Sequence, residues 1–186
     1  DVNKTLDDEI RGLQAGALWP YLEAPDVYNC PVDKRFLKPA TYKGNNPNNY
    51  DPDWKGGYRS YSIGKVLSKR PAGGTGEDAC TVSKLSEFTV PGSKIVFLEE
   101  SDGFGWNHRT WNMNLNIPKW VDPFSIWHNG SSTLAFADGH AERHKWESKN
   151  TLEMAKAQQK DWPATNPNGT VSEDYLWFKR SYIPGR

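Results

Sequence analysis

Asp138-Gly139 stands between two strand-like runs, SSTLAFA (131–137) and HAERHKW (140–146). This pair constrains the fold more than any other feature of the chain. A two-residue Asp-Gly link between such runs is the strongest short-range hairpin signal, because a type I′ turn needs positive φ at both central positions. That register pairs Ala137 with His140 and Phe136 with Ala141. Leu134, Phe136 and Ala141 then share a core face, while Ala135, Ala137, His140, Glu142 and His144 share the other.

The rest of the chain reads as partners for this hairpin. KIVFLEE (94–100) is the clearest further strand, entered through Pro91-Gly92. YRSYSIGKVL (58–67) and YLWFKRSYI (175–183) also read as strands, with a short one around Val27–Cys30 stopped by Pro31. A leading helix is expected over 5–22: Thr5 caps it, Asp8 reaches back, and Ile10, Leu13, Ala17, Leu18 and Tyr21 recur at helical spacing. Gly12 and Gly16 weaken that helix, and Pro20 marks an end or a kink near Trp19. Asn150, with Glu153 three residues on, predicts a second helix to about 160. Segments 43–57, 71–78, 101–107 and 163–170 are turn-rich loops, and 108–127 is aromatic and irregular. These signals give one α+β domain over 1–186, with the helix at 1–22 and the sheet and loops at 23–186. Aromatic residues make up 13% of the chain, which suits a turn-rich sheet protein more than a helical bundle.

Charge and hydropathy exclude some function classes. Lys+Arg and Asp+Glu both number 23, so the chain lacks the positive excess of a nucleic-acid-binding surface. Mean hydropathy is −0.81, and no apolar run is long enough to span a bilayer. The opening residues DVNKTLDDE do not read as a signal peptide.

Cys30 and Cys80 are the two cysteines. A bridge between them suits an oxidising compartment and would close a loop of about 50 residues, contributing about 4 kcal/mol. Two buried thiols are the other reading. Glu99, Glu100, Asp102 and Asn107 sit at a strand end and its turn and make an oxygen-rich calcium candidate. Asp51 and Asp53 form a weaker one. His140 and His144, four apart on a strand, lie roughly 13 Å apart and cannot share one ion. Trp54 and Trp106, placed in loops, are candidates for stacking against sugar rings, whereas Trp146 and Trp177 read as core. No Gly-x-Ser-x-Gly and no phosphate loop are present, and no cofactor is expected beyond the calcium candidate. An acid–base group of Glu99, Asp138 and His128 is conceivable in the folded chain, but no spacing in the sequence fixes it. His128, just before the Asn129-Gly130 turn pair, reads as a structural residue bonded to Glu99 or Glu100.

HNGSSTLAFADG (128–139) resembles the H-x9-DG signature of a branch of bacterial type IV pilin-like proteins related to type II secretion pseudopilins. His128 matches its histidine, and Asp138 and Gly139 its Asp-Gly. GALWPYLEAPDVYNCPVD (16–33), RSYSIG (59–64) and KIVFLEESDG (94–103) are similar pieces, in the family's order. The resemblance implies a pilin-like fold, with an N-terminal helix packed on an antiparallel sheet. It implies an extracytoplasmic, non-enzymatic subunit of a filament or secretion-linked pseudopilus, with other pilin-like subunits or secretion-system proteins as partners. The leading helix would be the tail of a longer one. The membrane would be met only through that longer helix, whose prepilin-type segment this sequence does not contain. A carbohydrate-binding surface module, with a polysaccharide partner, is the alternative; a metal-assisted hydrolase on His128 and the Glu99–Asp102 carboxylates is a third reading.

Overall fold

The computed structural model describes residues 5–37, 57–67, 80–101, 110–158 and 161–184. Its architecture is α+β. Strands β1 (Tyr61–Gly64), β2 (Ile95–Glu99), β3 (Thr110–Trp111), β6 (Ser131–Phe136) and β7 (Ala141–Lys145) form a five-stranded sheet in the order β3-β1-β2-β6-β7. All its pairings are antiparallel except β1 with β3. Strands β4 (Met113–Asn114), β5 (Lys119–Trp120) and β8 (Trp162–Pro163) form a small second antiparallel sheet.

Four helices accompany the sheets: α1 (Leu6–Gln14), α2 (Trp19–Leu22), α3 (Lys149–Ala157) and α4 (Glu173–Tyr182). The capping box at the start of α1 forms as expected, with Thr5 and Asp8 bonded reciprocally. The expected single helix over 5–22 instead breaks at 15–18. A Cβ on Gly16 would sit 3.0 Å from the Leu13 carbonyl oxygen, so glycine permits the tight exit, and Pro20 opens the short α2. No residue of α1 is buried. The helix that packs on the sheet is the C-terminal one, not the leading one.

That helix corrects another expectation. Residues 175–183 are not a strand. Ser172 caps α4 by accepting from the Tyr175 N–H, Glu173 and Asp174 occupy the first turn, and Lys179 and Arg180 the last. Tyr175, Phe178 and Tyr182 then fall at i, i+3 and i+7 on one buried face. The β-favouring aromatics that suggested a strand are a helix stripe in a core built of rings. Trp120 is fully buried at 5.1–5.5 Å from Phe124, Tyr175 and Phe178 in edge-on geometry, and Trp111 meets Phe178 and Tyr182 from the other side. Ile95, Leu98, Leu134 and Phe136 supply the sheet's contribution to this core.

Smaller departures have local causes. Val27–Cys30 is not a strand: Pro25–Tyr28 is a 3-10 turn started by Pro25 and closed by the Asn29 N–H on the Asp26 carbonyl. The strand expected at 58–67 is confined to β1 and ends in a 3-10 turn at Lys65–Leu67. Helix α3 starts one residue before Asn150. Ser148 occupies its N-cap position, and the buried Asp174 carboxylate accepts from the Glu147 and Ser148 N–H groups.

The hairpin forms, but one residue out of the expected register. Ala135 pairs with Ala141 and Leu134 with Glu142. The Phe136 N–H donates to the His140 carbonyl at 2.9 Å, and the Gly139 N–H to the Phe136 carbonyl at 3.0 Å. The loop therefore has three residues, Ala137-Asp138-Gly139, with positive φ at Gly139 (+94°) and not at Asp138. This is a type I turn closed by a glycine bulge, not a type I′ turn. A one-residue slip exchanges the faces of a strand. His140, Glu142 and His144 therefore lie on the side of Leu134 and Phe136: the His140 ring stacks on Phe136 at 4.5 Å, and the His144 ring on Trp177 of α4 at 3.7 Å.

Candidate functional site

The chain around residues 28–35 is clamped to the start of β1. The Ser60 N–H donates to the Tyr28 carbonyl, the Cys30 N–H donates to Ser60 Oγ at 2.9 Å, and Ser60 Oγ donates to Asp33 at 2.7 Å. Asp33 is buried and held by Arg35 through two bonds of 2.9 and 2.7 Å; Arg35 also donates to the Glu100 carbonyl and lies over the Trp127 ring. These contacts hold Cys30 against the sheet face that carries Tyr61, Glu99 and Thr133, the face away from the aromatic core. The alternation of β2 sends Glu99 to this face and Leu98 to the core.

His128 arrives from the third direction. It precedes the Asn129-Gly130 turn, where both residues have positive φ (55° and 74°) and the Gly130 N–H donates to the Ile126 carbonyl. The turn feeds directly into β6. It carries the His128 ring to Glu99, with Nε2 2.8 Å from Oε1. The second carboxylate oxygen of Glu99 accepts the Thr133 N–H at 2.8 Å. The Cys30 Sγ lies 3.5 Å from the same His128 Nε2. Cys30 and Glu99 are almost wholly buried, at 1% and 0% exposure, and the His128 side chain retains 26%.

The electrostatics follow from burial. Desolvation pushes the Cys30 thiol up, with the neighbouring Glu99 adding to the effect. Tyr61 is raised well above the ordinary phenol value, first by burial and then by the charges of Cys30 and Glu99. The Val32 backbone N–H opposes the rise at Cys30.

This arrangement is not a nucleophilic relay. A Cys-His-acid relay uses both imidazole nitrogens, one for the nucleophile and one for the acid. Here the sulfur and the carboxylate both converge on Nε2, and the sulfur is buried. Among the described residues, Cys30, Glu99 and His128 are the one group whose donor atoms could jointly hold a metal, all lying within 4.8 Å of one another.

The other sequence candidates distribute differently. Cys30 and Cys80 are not bridged: both are free thiols, because Cys30 is turned toward His128, Glu99 and Tyr61. Glu99 and Glu100 do not converge on one ion, since consecutive strand residues face opposite ways; Glu100 takes the Ser62 hydroxyl in a short hydrogen bond. Asp102 and Asn107 lie outside the described residues, as do Asp51, Asp53, Trp54 and Trp106. The remaining tryptophans are buried or half-buried. Asp138 does not join Glu99 and His128. It closes the far end of β6, where its carboxylate meets His140 Nδ1 at 2.6 Å and comes so near Gly92 that a Cβ there would sit 2.8 Å from Oδ2. The Ala137 N–H donates to the Lys94 carbonyl beside it. His128 and Asp138-Gly139 thus bracket one strand and fix its two ends.

Tyr61 is the site member that sequence reasoning missed, and Cys30, singled out there for a bridge to Cys80, is instead a buried free thiol facing His128. The pieces CP-x-D and RSYSIG contain them, but only the clamp between 28–35 and 58–62 brings them together.

Compared with family models, curated proteins and solved structures, the chain has no significant match.

Proposed function

We propose that this chain is the head of a pilin-like or pseudopilin-like surface subunit, non-enzymatic and extracytoplasmic, which works by display and by contact with like subunits or secretion-system proteins. The observation that carries the reading is the use made of the H-x9-DG stretch. His128 ties the start of β6 to Glu99 at 2.8 Å, and the Asp138-Gly139 turn docks its end against the 91–94 segment. The signature is strand length plus turn, a frame for the sheet and not a reacting constellation. Helix α1 departs from the sheet-packed leading helix that the resemblance implies. It has no buried residue and meets the body through the 25–28 turn and the Glu9 carboxylate on the Tyr58 N–H at 2.8 Å. A helix held at the side of the head suits the tail of a longer helix. The carbohydrate-binding alternative rests on Trp54 and Trp106, which lie outside the described residues.

The coding sequence upstream of Asp1 tests the reading. The expected result is an apolar stretch of about 20 residues running into α1, preceded by a prepilin-type cleavage site. An initiator methionine directly before Asp1 would contradict it.

A further inference from the structure

We infer that Cys30, Glu99 and His128 form a divalent-metal site of zinc type. The inference is independent of the pilin-like reading. Three donors of three kinds, a sulfur, an imidazole nitrogen and a carboxylate oxygen, come from three segments about 30 to 100 positions apart and meet at one point, all within 4.8 Å of each other. With zinc–sulfur near 2.3 Å and zinc–nitrogen near 2.0–2.1 Å, the sulfur–nitrogen edge of a tetrahedral site is about 3.5 Å. The Cys30 Sγ to His128 Nε2 separation is 3.5 Å. The nitrogen–oxygen edge of such a site is about 3.3 Å, so the 2.8 Å contact between His128 and Glu99 has only to open slightly when an ion enters.

The outer partners are those a metal site needs. The Thr133 N–H holds Glu99 Oε2 at 2.8 Å and leaves Oε1 aimed at the centre. Ser60 fixes the Cys30 backbone at 2.9 Å. Three protein donors leave one position of a tetrahedral site open. The donor set also selects among ions. A thiolate with an imidazole suits zinc and its neighbours, whereas calcium and magnesium take oxygen ligands. Binding releases the Cys30 thiol proton to solvent, and the ion then balances the thiolate and carboxylate that would otherwise be buried together.

The test uses the whole chain, stripped of metal by chelation, with zinc, cobalt and calcium as probes. Zinc should bind one to one and raise the melting temperature by roughly 5–10 °C at a hundredfold excess over its Kd. Calcium should leave the melting temperature unchanged. Cobalt should give a sulfur-to-metal charge-transfer band in the near ultraviolet and tetrahedral bands in the visible. Cys80→Ser should keep all of this. Cys30→Ser should lose the charge-transfer band and weaken zinc by more than about 100-fold, beyond what loss of an outer partner costs. If Cys30→Ser does not fold, the cobalt spectra of the unsubstituted chain and of Cys80→Ser decide the matter. Absence of the charge-transfer band from the unsubstituted chain, or its loss in Cys80→Ser, overturns the inference.

Discussion

Gly139 shows how much a single residue can carry in this fold. Its φ of +94° closes the bulged turn, and nothing lies within 4 Å of where a Cβ would stand. Substitution there meets no steric neighbour, so its cost is purely that of the backbone. Gly139→Val should destabilise the protein by about 1–3 kcal/mol, because a β-branched residue resists positive φ. Chemical denaturation checks this; an unchanged midpoint would show that the loop relaxes into another turn type. Gly92 differs in kind: the Asp138 carboxylate occupies the space a side chain would need. Both glycines were visible in the sequence as turn residues, but only the structure separates the one kept for conformation from the one kept for room.

Among the elements, the hairpin and α4 are joined through His144. Its ring stacks on Trp177 at 3.7 Å, and its Nε2 is buried with no hydrogen-bond partner. Burial holds its pKa below the ordinary value of 6.5, against the opposing charges of Asp174, Glu142 and Glu147. The unfolded chain therefore takes up a proton near pH 6.5, while the folded chain takes it up only at lower pH. Stability is full above that value and falls as the pH drops below it, because the unfolded state binds more protons there. His144→Phe keeps a ring on Trp177 and removes the titration. Thermal unfolding between pH 8 and pH 5 should show a smaller loss for the variant than for the unsubstituted protein; parallel losses would contradict the assignment. Sequence patterning located this hairpin and β2 but missed the register, because Asp-Gly serves a three-residue bulged loop as readily as a two-residue turn. It mistook α4 for a strand because Tyr175, Trp177, Phe178 and Tyr182 favour β structure one at a time, while the Ser172 cap and the 3.6-residue stripe carry the helix.

Across the whole molecule, the sheet separates two environments. One face carries a core of stacked and edge-on rings centred on Trp111, Trp120 and Phe178. The other carries a buried polar knot in which the 28–33 segment, β2 and the turn before β6 meet at Cys30, Glu99 and His128. The aromatic core was legible from composition. The knot was not, since its members are separated by 98 and 29 positions and join only through pairing of β1, β2 and β6. This knot ties those segments together. A double-mutant cycle on the metal-free protein measures it most directly, with Glu99→Gln and His128→Ala made singly and together and stability read by chemical denaturation. Each change alone should destabilise the fold, and the pair should cost less than the sum, with a coupling energy of about 1–3 kcal/mol. Costs that add to within about 0.3–0.5 kcal/mol would show that His128 and Glu99 are neighbours without being partners.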